Sequence, residues 1–344
     1  MKQLKNILKG HWTAIALSMI ICQMSVGEAA ARGKYDNTDT LFVANDGSCE
    51  FKTVNAAIEV CRAFMEYKKV IFVKKGIYKE KVIVPSWLTN IEIIGEDRDN
   101  TIITNDDHAN IKIPRIGRTD DEELQPMGTF RTYTVKVEGC NITFRNITIE
   151  NNAPRKGQAV ALHTEGDRLK FINCRFLGNQ DTVYTGMENT RLYFKDCYIE
   201  GTTDFIFGPS TAWFECCEIR SKVNSYVTAA STPKDIEYGY IFNDCKLTAA
   251  DGVDKVYLGR PWRPYAHTLF MNCDLGKHIV PEGWQNWKDY HDPAKEGTVR
   301  YQEYNSRGEG AGTKGRATWS QQLSPQEAEK IKPETVFGTT QWIK

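Results

Sequence analysis

Through the middle of the chain, apolar residues alternate with polar ones for a few positions, and then the alternation changes parity across a single Asn or Asp. The parity changes fall inside a recurring motif, Phe-x-(Asn/Asp)-Cys-x-apolar. Its copies begin at Phe144, Phe171, Phe194, Phe214, Phe242 and Phe270, with spacings of 27, 23, 20, 28 and 28 residues. Ile147 takes the cysteine place in the first copy, and Cys216 takes the Asn/Asp place in the fourth. A flat strand keeps its apolar residues at even spacing, so the backbone must bend at each parity change. Asn and Asp tolerate the left-handed conformation that such a bend needs. The flanking segments, such as Val135-Lys-Val137 and Ile147-Thr-Ile149, are β-branched and favour strands. A period of this length marks a solenoid. The pattern predicts an all-β fold, a right-handed parallel β-helix, with the cysteines in an inward column. Apolar residues at helical spacing over Thr53 to Phe64 predict a short helix capping the N-terminal end.

Composition narrows this picture. Lys2, Lys5 and Lys9 precede a mostly apolar run from Trp12 to Met24, and Ala29-Ala30-Ala31 offers a small-residue cleavage site. Residues 1–31 therefore read as an export signal, and residues 32–344 as a single domain in the periplasm or outside the cell. No other apolar stretch is long enough to cross a bilayer. Past the signal the chain holds 41 basic and 43 acidic residues, a net charge of −2, which favours neither a nucleic-acid nor a membrane partner. Nine cysteines remain, an odd number, and none stands at zinc spacing. Small buried core residues account for most of them. A bridge between adjacent coils, Cys197 to Cys217, is sterically and chemically allowed.

Asp181 and Asp204 each follow a motif cysteine by seven residues. Equal offsets on stacked coils place the two carboxyl groups one above the other, about 4.8 Å apart if the coils pair as parallel strands. Such a pair can share a proton and suits hydrolysis. Three further blocks lie in the repeat region: Gln158-Ala-Val-Ala-Leu162, Gln180 beside Asp181, and Tyr257-Leu-Gly-Arg260-Pro-Trp262. Singly each has an ordinary explanation, because Asp beside Gly is usually a turn residue and Arg before Pro a surface charge.

Together these blocks resemble the pectin methylesterase (pectinesterase) family. The resemblance extends to Asp46-Gly-Ser-Cys-Glu-Phe-Lys-Thr53, Gly76-Ile-Tyr78-Lys-Glu80, Thr129-Phe-Arg-Thr-Tyr-Thr134, Asp204-Phe-Ile-Phe-Gly208, Tyr301-Gln-Glu-Tyr304 and Gly308-Glu-Gly-Ala-Gly312. Asn179 and Thr203 depart from the usual aromatic and valine. The two aspartates are also slightly further apart than in plant members, which suggests a bacterial-type member. The resemblance implies a β-helix that hydrolyses methyl esters on the galacturonate units of pectin, releasing methanol without any cofactor or metal, as a monomer. It implies Asp204 as nucleophile, Arg260 as its partner and Asp181 as general acid and base. Gln158 and Gln180 would form the oxyanion hole, while Thr129, Tyr184, Phe205 and Trp262 would join Gln158 and Arg260 in binding substrate. The Gly-x-Ser-x-Gly elbow of serine esterases is absent. Rival readings are a pectate lyase, a polygalacturonase (paired acids about 5 Å apart also suit a retaining glycosidase) and a non-catalytic carbohydrate-binding solenoid.

Overall fold

The computed structural model describes residues 33–114, 124–287 and 297–344. The expected leader over 1–31 lies outside them. Three parallel sheets run the length of the molecule, with eleven, eight and seven strands, and successive strands in each come from successive coils. A typical coil contributes Leu169–Ile172 to the first sheet, Arg175–Leu177 to the second and Val183–Thr185 to the third. The fold is the expected right-handed parallel β-helix, the hand that parallel crossovers adopt almost without exception.

The motif sets the register. Phe144 pairs with Phe171, Phe171 with Phe194, Phe194 with Phe214, Phe214 with Phe242 and Phe242 with Phe270. Their rings stack through the core with centroids 4.4–5.6 Å apart. The bend residues Asn146, Asn173, Asp196, Cys216, Asp244 and Asn272 all have φ between 49° and 57°. Asparagines also bridge neighbouring bends: Asn173 Nδ2 donates to Asn146 Oδ1 and Asn272 Nδ2 to Asn243 Oδ1, both at 2.9 Å. Cys174, Cys197, Cys217, Cys245 and Cys273 are buried behind the bends. All nine described cysteines are free, so Cys197 and Cys217 are not bonded to each other.

The N-terminal helix is shorter than its apolar pattern suggests, Val54–Glu59 with its cap at Val60, and beyond it Phe64 takes a left-handed conformation and is exposed. Thr53 caps it by accepting from Ala56 N, and Glu80 of the Gly-x-Tyr-x-Glu block accepts from Val54 N and Asn55 N. Two elements were not foreseen. An antiparallel pair, Lys112–Pro114 with Leu124–Pro126, leads into the turn at Thr129. A C-terminal segment with helices Pro325–Ala328 and Pro333–Phe337 packs outside the first sheet, over Tyr193, Trp213, Ile241 and Leu269.

Candidate active site

The seven-stranded sheet carries the site. Asp181 and Asp204 each precede one of its strands by two residues, and those strands pair Val183 with Ile206 and Tyr184 with Phe207. The aspartates therefore occupy equivalent places on successive coils. Asp181 N donates to Thr203 O at 3.1 Å and Asp204 N to Tyr226 O at 3.0 Å, so each also bonds to the coil beyond. Both are left-handed, with φ of 67° and 49°. The seven-residue offset from the cysteine thus spans one short strand and ends on the next bend.

Asp181 and Asp204 are almost fully buried and line a groove of about 270 Å³. Thr129, Gln158, Gln180, Arg260 and Trp262 line it with them, together with Phe130, Phe207, Ala229 and Trp287. Arg260 lies two coils beyond Asp204 and reaches back to grip it with two parallel bonds, Nε to Oδ1 at 3.0 Å and Nη2 to Oδ2 at 2.7 Å. Its guanidinium sits between two rings, with its central carbon 4.1 Å from the centroid of Tyr226 and 3.9 Å from that of Trp287. Gln285 accepts a hydrogen bond from the Tyr226 hydroxyl.

The two acids are driven apart by their surroundings. Burial pushes Asp181 well above the usual carboxylate range, the Asp204 charge pushes it further, and Arg260 opposes both weakly. Burial also raises Asp204, but the fork from Arg260 and its charge pull against it. Of the pair, Asp204 ionises first and Asp181 keeps the proton.

Thr129 opens a short 3-10 turn, Thr129–Arg131, and two side chains fix it against the Gln158 segment. Thr132 Oγ1 donates to Thr129 O at 2.7 Å and accepts from Val160 N at 2.9 Å. Asn151 Nδ2 donates to both Thr132 O and Val160 O, at 2.9 and 3.1 Å. Tyr184 stands just outside the lining residues and extends the wall, its ring 4.8 Å from Phe130 and 4.7 Å from Phe207. Beside it, burial pushes His163 down to about 4.

Phe205 requires a correction. It is fully buried in the solenoid core and presents no surface to the groove. A strand continued back through the bend would face Phe205 and Phe207 alike. The left-handed turn at Asp204 instead tucks Phe205 inward, and Phe207 lines the groove in its place. Gly201 makes room for this, since a Cβ there would lie 2.2 Å from that of Phe205. Among the groove residues, Phe207 could have been found by counting alternation from Ile206. Trp287 and the ring clamp on Arg260 left no sequence signal, because they depend on how distant coils stack. The two departures lie beside the groove: Asn179 Nδ2 donates to Ala153 O at 3.1 Å, and Thr203 Oγ1 meets Ser225 Oγ at 2.9 Å.

A long parallel β-helix whose aromatic-lined groove holds two buried acids, one of them gripped by an arginine, has the make-up of a solenoid enzyme. The model of the family described as Pectinesterase matches residues 40–342, and the chain belongs to that family as a carboxylic ester hydrolase. It is 34% identical over 326 residues to "Probable pectinesterase 8" of Arabidopsis thaliana, covering 90% of this chain and 77% of that one. Among solved structures, the pectin methylesterase from carrot is similar with a TM-score of 0.79 and 31% identity, over 91% of this chain and 97% of that one. Pectin methylesterase PemA from Erwinia chrysanthemi gives 0.72 and 26%, over 88% and 97%.

Proposed function

We propose that the chain removes methyl esters from galacturonate units of pectin with Asp204 as nucleophile and Asp181 as proton carrier. The observation that carries this reading is the two-pronged Arg260–Asp204 pair beside a more strongly protonated Asp181 on the previous coil. The Asp204 carboxylate attacks the ester carbonyl carbon, and the Gln158 and Gln180 amides donate to the oxyanion that forms. Collapse breaks the bond to methoxide, which takes the Asp181 proton and leaves as methanol. Asp181 then removes a proton from water, and the hydroxide opens the acyl-enzyme anhydride. Asp204 is freed as carboxylate, and the new galacturonic acid loses its proton to solvent. Trp262 and Phe207, with Tyr184 beyond them, offer flat faces for the sugar rings. A pectin methylesterase solved in complex with a hexasaccharide, 26% identical with a TM-score of 0.72, supports a polysaccharide substrate.

Export by the 1–31 signal rests on the lysines and apolar run described above. One catalytic domain over 32–344 is supported by the reach of the family match. The bacterial-type reading gains nothing from the comparisons, since the carrot enzyme is more similar than the Erwinia one. A monomer remains the reading for oligomeric state.

Methanol release from highly methylated pectin, with chain length followed in parallel, tests the mechanism. The wild type is expected to release methanol at constant chain length, and Asp204→Asn to be slower by about a thousandfold or more. Shortened chains would return the assignment to a glycosidase or lyase. Undiminished release by Asp204→Asn would remove Asp204 as nucleophile.

A further inference from the structure

A second recess, of about 490 Å³, lies on the outer face of the eleven-stranded sheet, away from the sheet that carries the two aspartates. The strands Ile91–Gly95, Thr143–Arg145 and Leu169–Ile172 form its floor. Lys68, Arg145, Arg168 and Lys170 line it, against the carboxylates of Glu66 and Glu92. Glu92 is already engaged by Lys68 and by Arg145, whose Nε lies 3.0 Å from Oε1. Arg168 donates to Asn141 Oδ1 at 2.5 Å and to Asp167 Oδ2 at 3.0 Å.

Lys170 differs from these. It stands in the middle of the row, opposite Thr143 on one side and Tyr193 on the other. The residue is half-buried, and its ammonium has no hydrogen-bond or ion-pair partner among the described residues. Burial and the nearby Arg145 and Lys68 charges lower its proton affinity, with only the already engaged Glu92 opposing them. A cation kept partly out of water without a partner is costly, and an anion in the recess would remove that cost. The ring of Trp342, half-buried against Phe337, forms a side wall where a sugar face can lie.

We infer that this recess is a second carbohydrate site, one that binds the carboxylates of de-esterified galacturonan, the polyanion that the proposed reaction leaves behind. The choice of ligand rests on the pectinesterase reading. The cations and the indole wall rest on the structure alone. Lys170 and Asp181 belong to one coil but to different sheets, so product held at the recess leaves the catalytic groove open. A chain tethered this way stays on polymer that it has already partly converted.

The test is calorimetric titration of a fully de-esterified oligogalacturonate into the whole chain, for the wild type, Lys170→Glu and Lys170→Gln. Methanol release from a short methylated substrate is measured beside it. Two binding events are expected in the wild type. The outer-face event should weaken tenfold or more in Lys170→Glu, less in Lys170→Gln, and fade as salt is raised. Methanol release should stay unchanged in both variants, since neither touches the groove. A single event in the wild type, or unchanged binding in Lys170→Glu with the native fold retained, overturns the inference. Equal binding of polyglutamate, which has charge but no sugar rings, overturns the uronate assignment. If Lys170→Glu does not fold, Lys170→Gln decides, because it removes the charge where there is no hydrogen bond or ion pair to lose. Failure of the pectinesterase reading shows separately, as absence of methanol from the wild type.

Discussion

Asp181 and Asp204 sit where the backbone itself restricts their replacement. At φ of 67° and 49° most L-residues pay roughly 1–2 kcal/mol, whereas Asn does not. Asparagine variants therefore isolate the chemistry, while alanine variants also strain the bend. The proton assignment has two consequences. Activity should fall as pH drops through the Asp204 value and again as pH rises through the Asp181 value, giving a bell whose alkaline limb belongs to Asp181. Stability should follow as well. The folded chain holds a proton on Asp181 that the unfolded chain gives up above its ordinary value of 3.8, so folding is penalised progressively as pH rises past that point. Asp181→Asn should raise the melting temperature at pH 8 and change it little near pH 3, which thermal unfolding across pH would show. The rings around Arg260 hold the fork that keeps Asp204 oriented. Trp287→Leu is expected to lower kcat several-fold with less effect on KM, since one such ring contributes about 1 kcal/mol. At this scale the acid pair was legible, because equal offsets from two cysteines survive in one dimension. Arg260, Gln158 and Thr129 came from the family resemblance, and Tyr226 and Trp287 from neither.

Between one coil and the next, regularity is what made the elements readable. The Phe spacing announced the register that the strands adopt, even though the coil length varies from 20 to 28 residues. The variation is absorbed by turns between sheets, away from the stacked rings. Cys216 is the one irregular bend in the motif series, left-handed at φ 52° and exposed. Cys216→Asn should restore the residue type of neighbouring bends and stabilise the chain by about 1 kcal/mol, seen as a higher urea midpoint with unchanged slope. Phe214→Ala, which opens a gap in the middle of the ring stack, should cost about 3–5 kcal/mol in the same measurement. The C-terminal helices escaped notice because helices of four and five residues hold no periodicity. Pro325, Pro333 and the Ser324–Glu327 capping box mark them instead.

The whole molecule is a column whose outer wall is dressed by its own C-terminal segment. Ile331, Val336, Phe337 and Trp342 cover the apolar outer faces of Tyr193, Trp213, Ile241 and Leu269. Arg191 secures that segment by donating to Phe337 O at 3.0 Å. Removing residues 325–344 should uncover a continuous apolar strip and drive self-association visible by light scattering, while methanol release per folded chain is retained. The sequence could not announce this cover, since a strand with apolar residues on both faces reads the same whether its outer face meets solvent or another segment. The thiol column carries a different lesson. Each motif thiol from Cys197 on reaches a carbonyl of the preceding coil, as Cys197 does to Phe171 O at 3.3 Å and Cys245 to Phe214 O at 3.4 Å. Sulfur here works as soft filler, not as a covalent staple. The described fold accordingly depends on no disulfide, and a reducing agent finds no bond to cut among the described residues.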